Sequence, residues 1–141
     1  MFPDAKIPCV QLSLVNTLDP KTHINIGKAL ASLRDENILI IGSGFSFHNL
    51  KAFFSQSANE PDLKNESFEK WLIDACTNDN ISTNDRETML NEWDKAPFAR
   101  YCHPREEHFL PLHVCYGMSG SIAKLVFSDK VIGKKASAFL W

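Results

Sequence analysis

Metal-binding and redox spacing of cysteine is missing from this chain. Cys9, Cys76, Cys102 and Cys115 form no CxxC pair and no dense framework, so they read as four reduced thiols of an intracellular protein. Two disulfides in a secreted protein are the alternative. An excess of either charge is also missing: the net charge is −2 with a pI near 6.2. That leaves no electrostatic footprint for nucleic acid or an anionic membrane surface. No apolar run approaches the roughly 18 residues of a membrane span. The opening MFPDAKIPCV lacks a basic segment followed by a long apolar stretch, so it does not read as a signal peptide. Repeats, low-complexity tracts and linkers are absent. What these absences leave is a soluble, cytoplasmic protein built as a single α/β domain over residues 1–141.

Apolar material is plentiful by contrast. It makes up 44% of 141 residues and includes ten Phe and three Trp, enough for a substantial core. Ile7–Leu14 alternates Val10, Leu12 and Leu14 with Gln11 and Ser13, the period of a half-buried strand. Asp19-Pro20 opens a helix, and Ile26, Ala29, Leu30 and Leu33 recur at helical spacing between Thr22 and Glu36. Ile38–Ile41 is fully apolar, like a strand buried in a parallel sheet. Strand, helix and strand predict a right-handed βαβ unit.

Further along, His48 to Phe54 reads as a helical turn and Ser55 to Asn65 as a polar loop. Ser67 to Asn78 is predicted as an amphipathic helix through Phe68, Leu72, Ile73 and Cys76. Ser82 or Thr83 caps another helix, which Pro97 ends. A helix is predicted from Pro104 to a C-terminal glycine at Gly117, capped by His103 or its neighbour. Strands are expected at Ile122–Phe127 and Ser137–Trp141, with a turn at Ser128–Lys130.

Two blocks concentrate the chemistry: GSGFSFHN at residues 42–49 and HPREEHFLPL at residues 103–112. Gly42 and Gly44 fit the start of a dinucleotide cradle, but Phe47 stands where a small residue is needed and His48 would crowd a pyrophosphate. A nucleophile elbow lacks its second glycine. The plain reading of the glycines is a tight turn needing permissive dihedrals. His103, His108 and His113 are spaced by five, about 140° apart on a helix, so no two form an i, i+4 metal pair. His23 and His113 read as structural. His48 follows the carboxyl end of an apolar strand, the usual place for a ligand site in an open α/β sheet, and the segment carrying His108 can face the same crevice.

The stretches MFPDAKIPCVQLSL, LASLRDENILIIGSGFSFHNL and ARYCHPREEHFLPLHVCYG, in that order, resemble the extradiol aromatic ring-opening dioxygenases of the DOPA-dioxygenase type. These belong to the class III superfamily that includes the catalytic subunit of protocatechuate 4,5-dioxygenase. The resemblance runs from Met1 to about Gly117, and the closing ASAFLW is also family-like.

It implies an α/β fold with a mixed or parallel sheet in three layers with flanking helices, of which this chain is the C-terminal part. It also implies non-haem Fe(II), with zinc able to occupy the site, and the cleavage of a catechol by O2. The histidine of the family's SGxxxHN block falls on His48, as a metal-proximal or acid/base residue. The histidine of EHxLPL falls on His108, at the metal. Asn49, His103 and Glu107 match as residues around substrate or ligands. Two further metal histidines of the family lie before the segment matching residues 1–14, where this chain has no counterpart, and His23 lies on the crossover helix and cannot replace them. The isolated chain is therefore expected to be inactive. It is read as a portion of a ring-opening dioxygenase, through a truncated gene, an alternative transcript or a split subunit completed by an N-terminal-half chain. A non-catalytic remnant acting as a binding or interaction protein is the alternative, and an unrelated α/β enzyme such as a hydrolase a third.

Overall fold

Aromatic and polar residues share the buried face of the longest helix, which packs against the hairpin and two shorter helices. In the computed structural model, which describes Asp4, residues 6–55 and residues 61–141, the elements run as follows. α1 is Pro20–Ala29, followed by a 3₁₀ turn at Ala31–Asp35; α2 is Leu50–Ser55, α3 Leu63–Thr77 and α4 Thr83–Asn91. A second 3₁₀ turn at Trp93–Lys95 leads to α5, Ala99–Cys102, and α6, Leu110–Ser119. β1, Lys124–Val131, pairs antiparallel with β2, Lys134–Leu140. Residues 56–60 of the expected polar loop lie outside the described residues.

α3 starts where the Asp62 carboxylate accepts the backbone N–H of Asn65, an N-cap that satisfies one orphan donor. Its inward face carries Phe68, Leu72 and Cys76 at helical spacing. Phe68, Trp93, Phe109 and His103 form an aromatic cluster at ring separations of 4.8–5.8 Å. At the other end of α3, the buried Arg86 guanidinium donates to the carbonyls of Ala75, Asn78 and Ile81. A cation is thereby set against the negative end of the helix.

The same helix secures β2. Asn65 pairs with Lys135 as a strand would, its Nδ2 donating to Lys135 O and its Oδ1 accepting Lys135 N–H. Lys134 Nζ lies 2.6 Å from Asp62 Oδ2, a pair almost completely withdrawn from water. Burial alone would raise the Asp62 carboxyl, but bonds from Lys134, Tyr101 and the Asn65 N–H outweigh it and hold the group below its ordinary value.

α1 and α6 cross at two glycines. A Cβ on Gly27 would stand 2.1 Å from Val114 O, and one on Gly117 would stand 2.1 Å from Ile24 O. Gly117 is thus a packing residue rather than the expected terminator, and Gly120, at φ 60, ends α6. Residues 104–109 are turns rather than the first part of that helix, and the proline in its first turn is Pro111, not Pro104. His103 accordingly closes α5 instead of opening α6. The helix read over Thr22–Glu36 is divided between α1 and the 3₁₀ turn.

Helices and strands occur together, as the α/β reading requires, and the hydrogen-bonded sheet of the described residues is the β1–β2 hairpin. Its strands run past the predicted bounds, so the turn falls at Ile132-Gly133 rather than Ser128–Lys130. The predicted βαβ unit is not formed. Ile7–Leu14 and Ile38–Ile41 make no ladder, and Val10, Leu39 and Ile41 are exposed. A strand apolar on both faces needs neighbours and covering layers, and the described residues provide none for it. Among those residues no helix is long and apolar enough to cross a membrane.

Candidate metal centre

Gly42 and Gly44 bring the two histidine blocks together by lacking side chains. Neither has a positive φ, so the expected turn geometry is not their purpose. A Cβ on Gly44 would lie 2.3 Å from His108 O, and one on Gly42 would lie 2.6 Å from Cys115 Sγ and 2.9 Å from Pro111 O. The segment therefore lies directly on the start of α6, where Phe45 N donates to His108 O at 3.1 Å.

The end of α5 fixes the other side of this segment through three successive residues. His48 N donates to Cys102 O at 2.8 Å, and Asn49 Nδ2 donates to Tyr101 O at 2.7 Å. His103 Nε2 is 2.8 Å from Ser46 O. Asn49 Oδ1 also accepts Ala52 N–H, which caps α2. The orphan carbonyls of a helix end are thus used to hold a loop.

These restraints stack the imidazoles of His48 and His108 with ring centroids 3.4 Å apart and planes inclined by 21°. The His48 pKa is lowered, first by burial and then by repulsion from His108, while Glu107 pulls the other way. Ligand atoms of His48, Glu107 and His108 all lie within 4.8 Å of one another. Metal–nitrogen bonds of about 2.0–2.1 Å put ligands of one ion at most about 4 Å apart, so modest side-chain adjustment closes this set on a cation. Two imidazoles and a carboxylate are a donor set suited to a first-row divalent metal.

His103 and Asn49 do not join that cluster. His103 is fully buried, its pKa pushed down to about 4 by burial, and its Nε2–H serves Ser46 O. His23 and His113 are structural, as expected. His23 Nε2 accepts Val15 N–H and its Nδ1 faces Asp19 O; His113 Nε2 faces Leu90 O at 2.8 Å.

A buried carboxyl behind the His48 segment escaped the sequence reading. Glu69 is 1% exposed and accepts from the Ser137 hydroxyl at 2.6 Å, while its other oxygen is buried without a partner. Burial raises its pKa to about 7, against the pull of the Ser137 and Ser46 hydroxyls. The signal was present: Glu69 falls three residues before Leu72 and seven before Cys76, on the buried face of α3. Beside the histidines an apolar cleft of about 560 Å³ is lined by Ile38, Ile41, Phe45, Leu112, Phe139 and Trp141, with His108 at its wall.

Residues 1–140 match the family described as the catalytic LigB subunit of aromatic ring-opening dioxygenase. The chain is 39% identical over 131 residues to a 4,5-DOPA dioxygenase extradiol of Beta vulgaris, covering 88% of this chain and 44% of that protein. It is 35% identical over 148 residues to the dioxygenase tasH of Hapsidospora irregularis, covering 99% and 45%. A crystal structure of an uncharacterized protein, JW3007, from Escherichia coli K12 superposes with a TM-score of 0.80 at 28% identity, covering 97% of this chain and 56% of that one. The chain thus spans less than half the length of these two curated relatives. By its match from end to end, it belongs to the LigB family of aromatic ring-opening dioxygenases.

Proposed function

We propose that these 141 residues form one α/β domain, the C-terminal part of a cytoplasmic extradiol dioxygenase that opens a catechol of the DOPA class with Fe(II) and O2. The convergence of His48 and His108 carries this reading, since the two family blocks are far apart in sequence and meet here at ring contact. The substrate class follows from the similarity to the 4,5-DOPA dioxygenase extradiol of Beta vulgaris.

In this reading His108 is a metal ligand, and His48, metal-proximal or a ligand itself, takes the proton from a catechol hydroxyl on a ring nitrogen. A neutral imidazole suits that task because its pKa lies near neutrality. Asn49 and His103 hold the His48 segment against the end of α5. The bound metal, Fe(II) with zinc able to replace it, supplies open coordination positions for the catecholate and O2.

Two histidines are too few for a working iron centre. The remaining ligands belong to a segment matching the first half of the relatives, in the same polypeptide or a separate chain. The bare apolar edges of Ile7–Leu14 and Ile38–Ile41 support the need for such a segment.

The test is catechol-dependent oxygen uptake by a protein that joins this chain to that first half, with mass spectrometry of the ring-opened product. His48→Ala and His108→Ala should each abolish uptake while the circular dichroism spectrum is retained. Unchanged uptake in either variant removes the corresponding assignment.

A further inference from the structure

We propose that Glu107 is the third protein donor of this site, so that the 141-residue chain alone holds a divalent first-row cation through His48, Glu107 and His108. The inference rests on the reading of His48 and His108 as metal-site residues and adds a ligand to it.

Several observations single out this carboxylate. One of its carboxylate oxygens lies within 4.8 Å of a ring nitrogen of each of the two imidazoles. Glu107 Oε2 is shielded from solvent yet accepts no hydrogen bond. Arg105 Nε approaches it to 3.3 Å, but that side chain is 71% exposed, and an ion pair of this kind yields readily to a stronger cation. The neighbouring Glu106 points to other work, bonding Arg100 at 2.6 Å. His103 is committed to Ser46 O, which leaves Glu107 as the group beside the histidine pair that can bring negative charge.

The composition of the set also selects the ion. Two neutral imidazoles and one carboxylate carry a single negative charge and favour Fe(II), Co(II) or Zn(II) over Ca²⁺ or Mg²⁺, which prefer oxygen-rich shells. In the 141-residue chain alone, three donors on one face leave the remaining positions of the ion to water.

The experiment titrates the chelator-stripped 141-residue chain with Co²⁺, followed by its visible ligand-field bands, and with Zn²⁺ by calorimetry. Thermal melts verify that each variant is folded. The expected result is one site per chain, weakened about 100-fold by Glu107→Gln or Glu107→Ala, partly kept by Glu107→Asp, and lost with His108→Ala. Wild-type affinity in Glu107→Gln and Glu107→Ala, with loss in both His48→Ala and His108→Ala, overturns the role of Glu107 and leaves the histidine reading intact. Retention of the site in His108→Ala overturns that reading itself. No binding by the wild-type chain overturns the inference.

Discussion

The aromatic cluster around α3 and the run Ile38–Ile41 are built of equally apolar residues and meet opposite fates. Phe68, Leu72, Trp93 and Phe109 are at most 1% exposed, whereas Leu39 is 72% and Ile41 63% exposed. The helical residues find their partners within the chain, because α3, the 3₁₀ turn at Trp93 and Phe109 just before α6 present complementary rings to one another. A parallel strand has no such recourse, since its neighbours come from remote sequence. The difference teaches that hydrophobic pattern specifies an element, while burial depends on the partners present. The histidine pair sits at the seam between these regions. His48 follows the exposed run and is held to the buried one by Cys102, Tyr101 and His103.

Substitutions on the two sides should separate them clearly. Phe109→Ala, in the centre of the buried cluster, should cost about 4 kcal/mol in denaturant unfolding. Leu39→Ser should change the stability of the isolated chain by less than about 0.5 kcal/mol, and cost about 2 kcal/mol once a first half covers it.

Glu69→Gln probes the polar part of the buried side. The Glu69 pKa is raised on folding, so the folded state holds a proton that the unfolded state has released, and stability falls as pH rises from about 4.5 to about 7. Gln lacks that loss. Its advantage should therefore grow across this window and reach about 3 kcal/mol above pH 7, read as the difference in melting between variant and parent at pH 5 and pH 8. The buried histidines His103 and His113 act in the opposite sense between about pH 4 and 6.5, but equally in both proteins, so they cancel in the comparison.

Gly117→Ala should cost about 2 kcal/mol by forcing α6 away from Ile24 O, measured by the same unfolding curves. The smallest effect belongs to the hairpin, where Ile132 sits at φ 51 with an exposed side chain. Ile132→Asn relieves a β-branched residue of that left-handed conformation and should stabilise by about 1 kcal/mol.

Much of this was legible in the sequence. The apolar spacing of Phe68, Leu72 and Cys76 located α3, and of the two caps offered for α4, Ser82 and Thr83, it is Ser82 that accepts Asp85 N–H. The pairing of His48 with His108 followed from family blocks rather than from periodicity. Less legible was anything that depended on close approach. Gly42 and Gly44 looked like turn residues, yet they serve contact with Cys115, Pro111 and His108. Pro104 and Gly117 looked like helix punctuation, and Pro111 and Gly120 hold those places instead, because a proline or glycine has the same local signature wherever it stands. Glu69 was missed because a carboxyl is ordinarily assigned to the wet face of a helix. Ile7–Leu14 and Ile38–Ile41 carry the pattern of strands, and among the described residues no strand pairs with them.

The most direct test compares catechol-dependent oxygen uptake, with Fe(II) added, by the 141-residue chain alone and by the same chain joined to a first half of the family fold. Uptake should be no greater than that of Fe(II) alone in the former, and turnover in the latter should be lost on His108→Ala. Equal rates in the two polypeptides, whether both high or both at the Fe(II) background, would contradict this expectation.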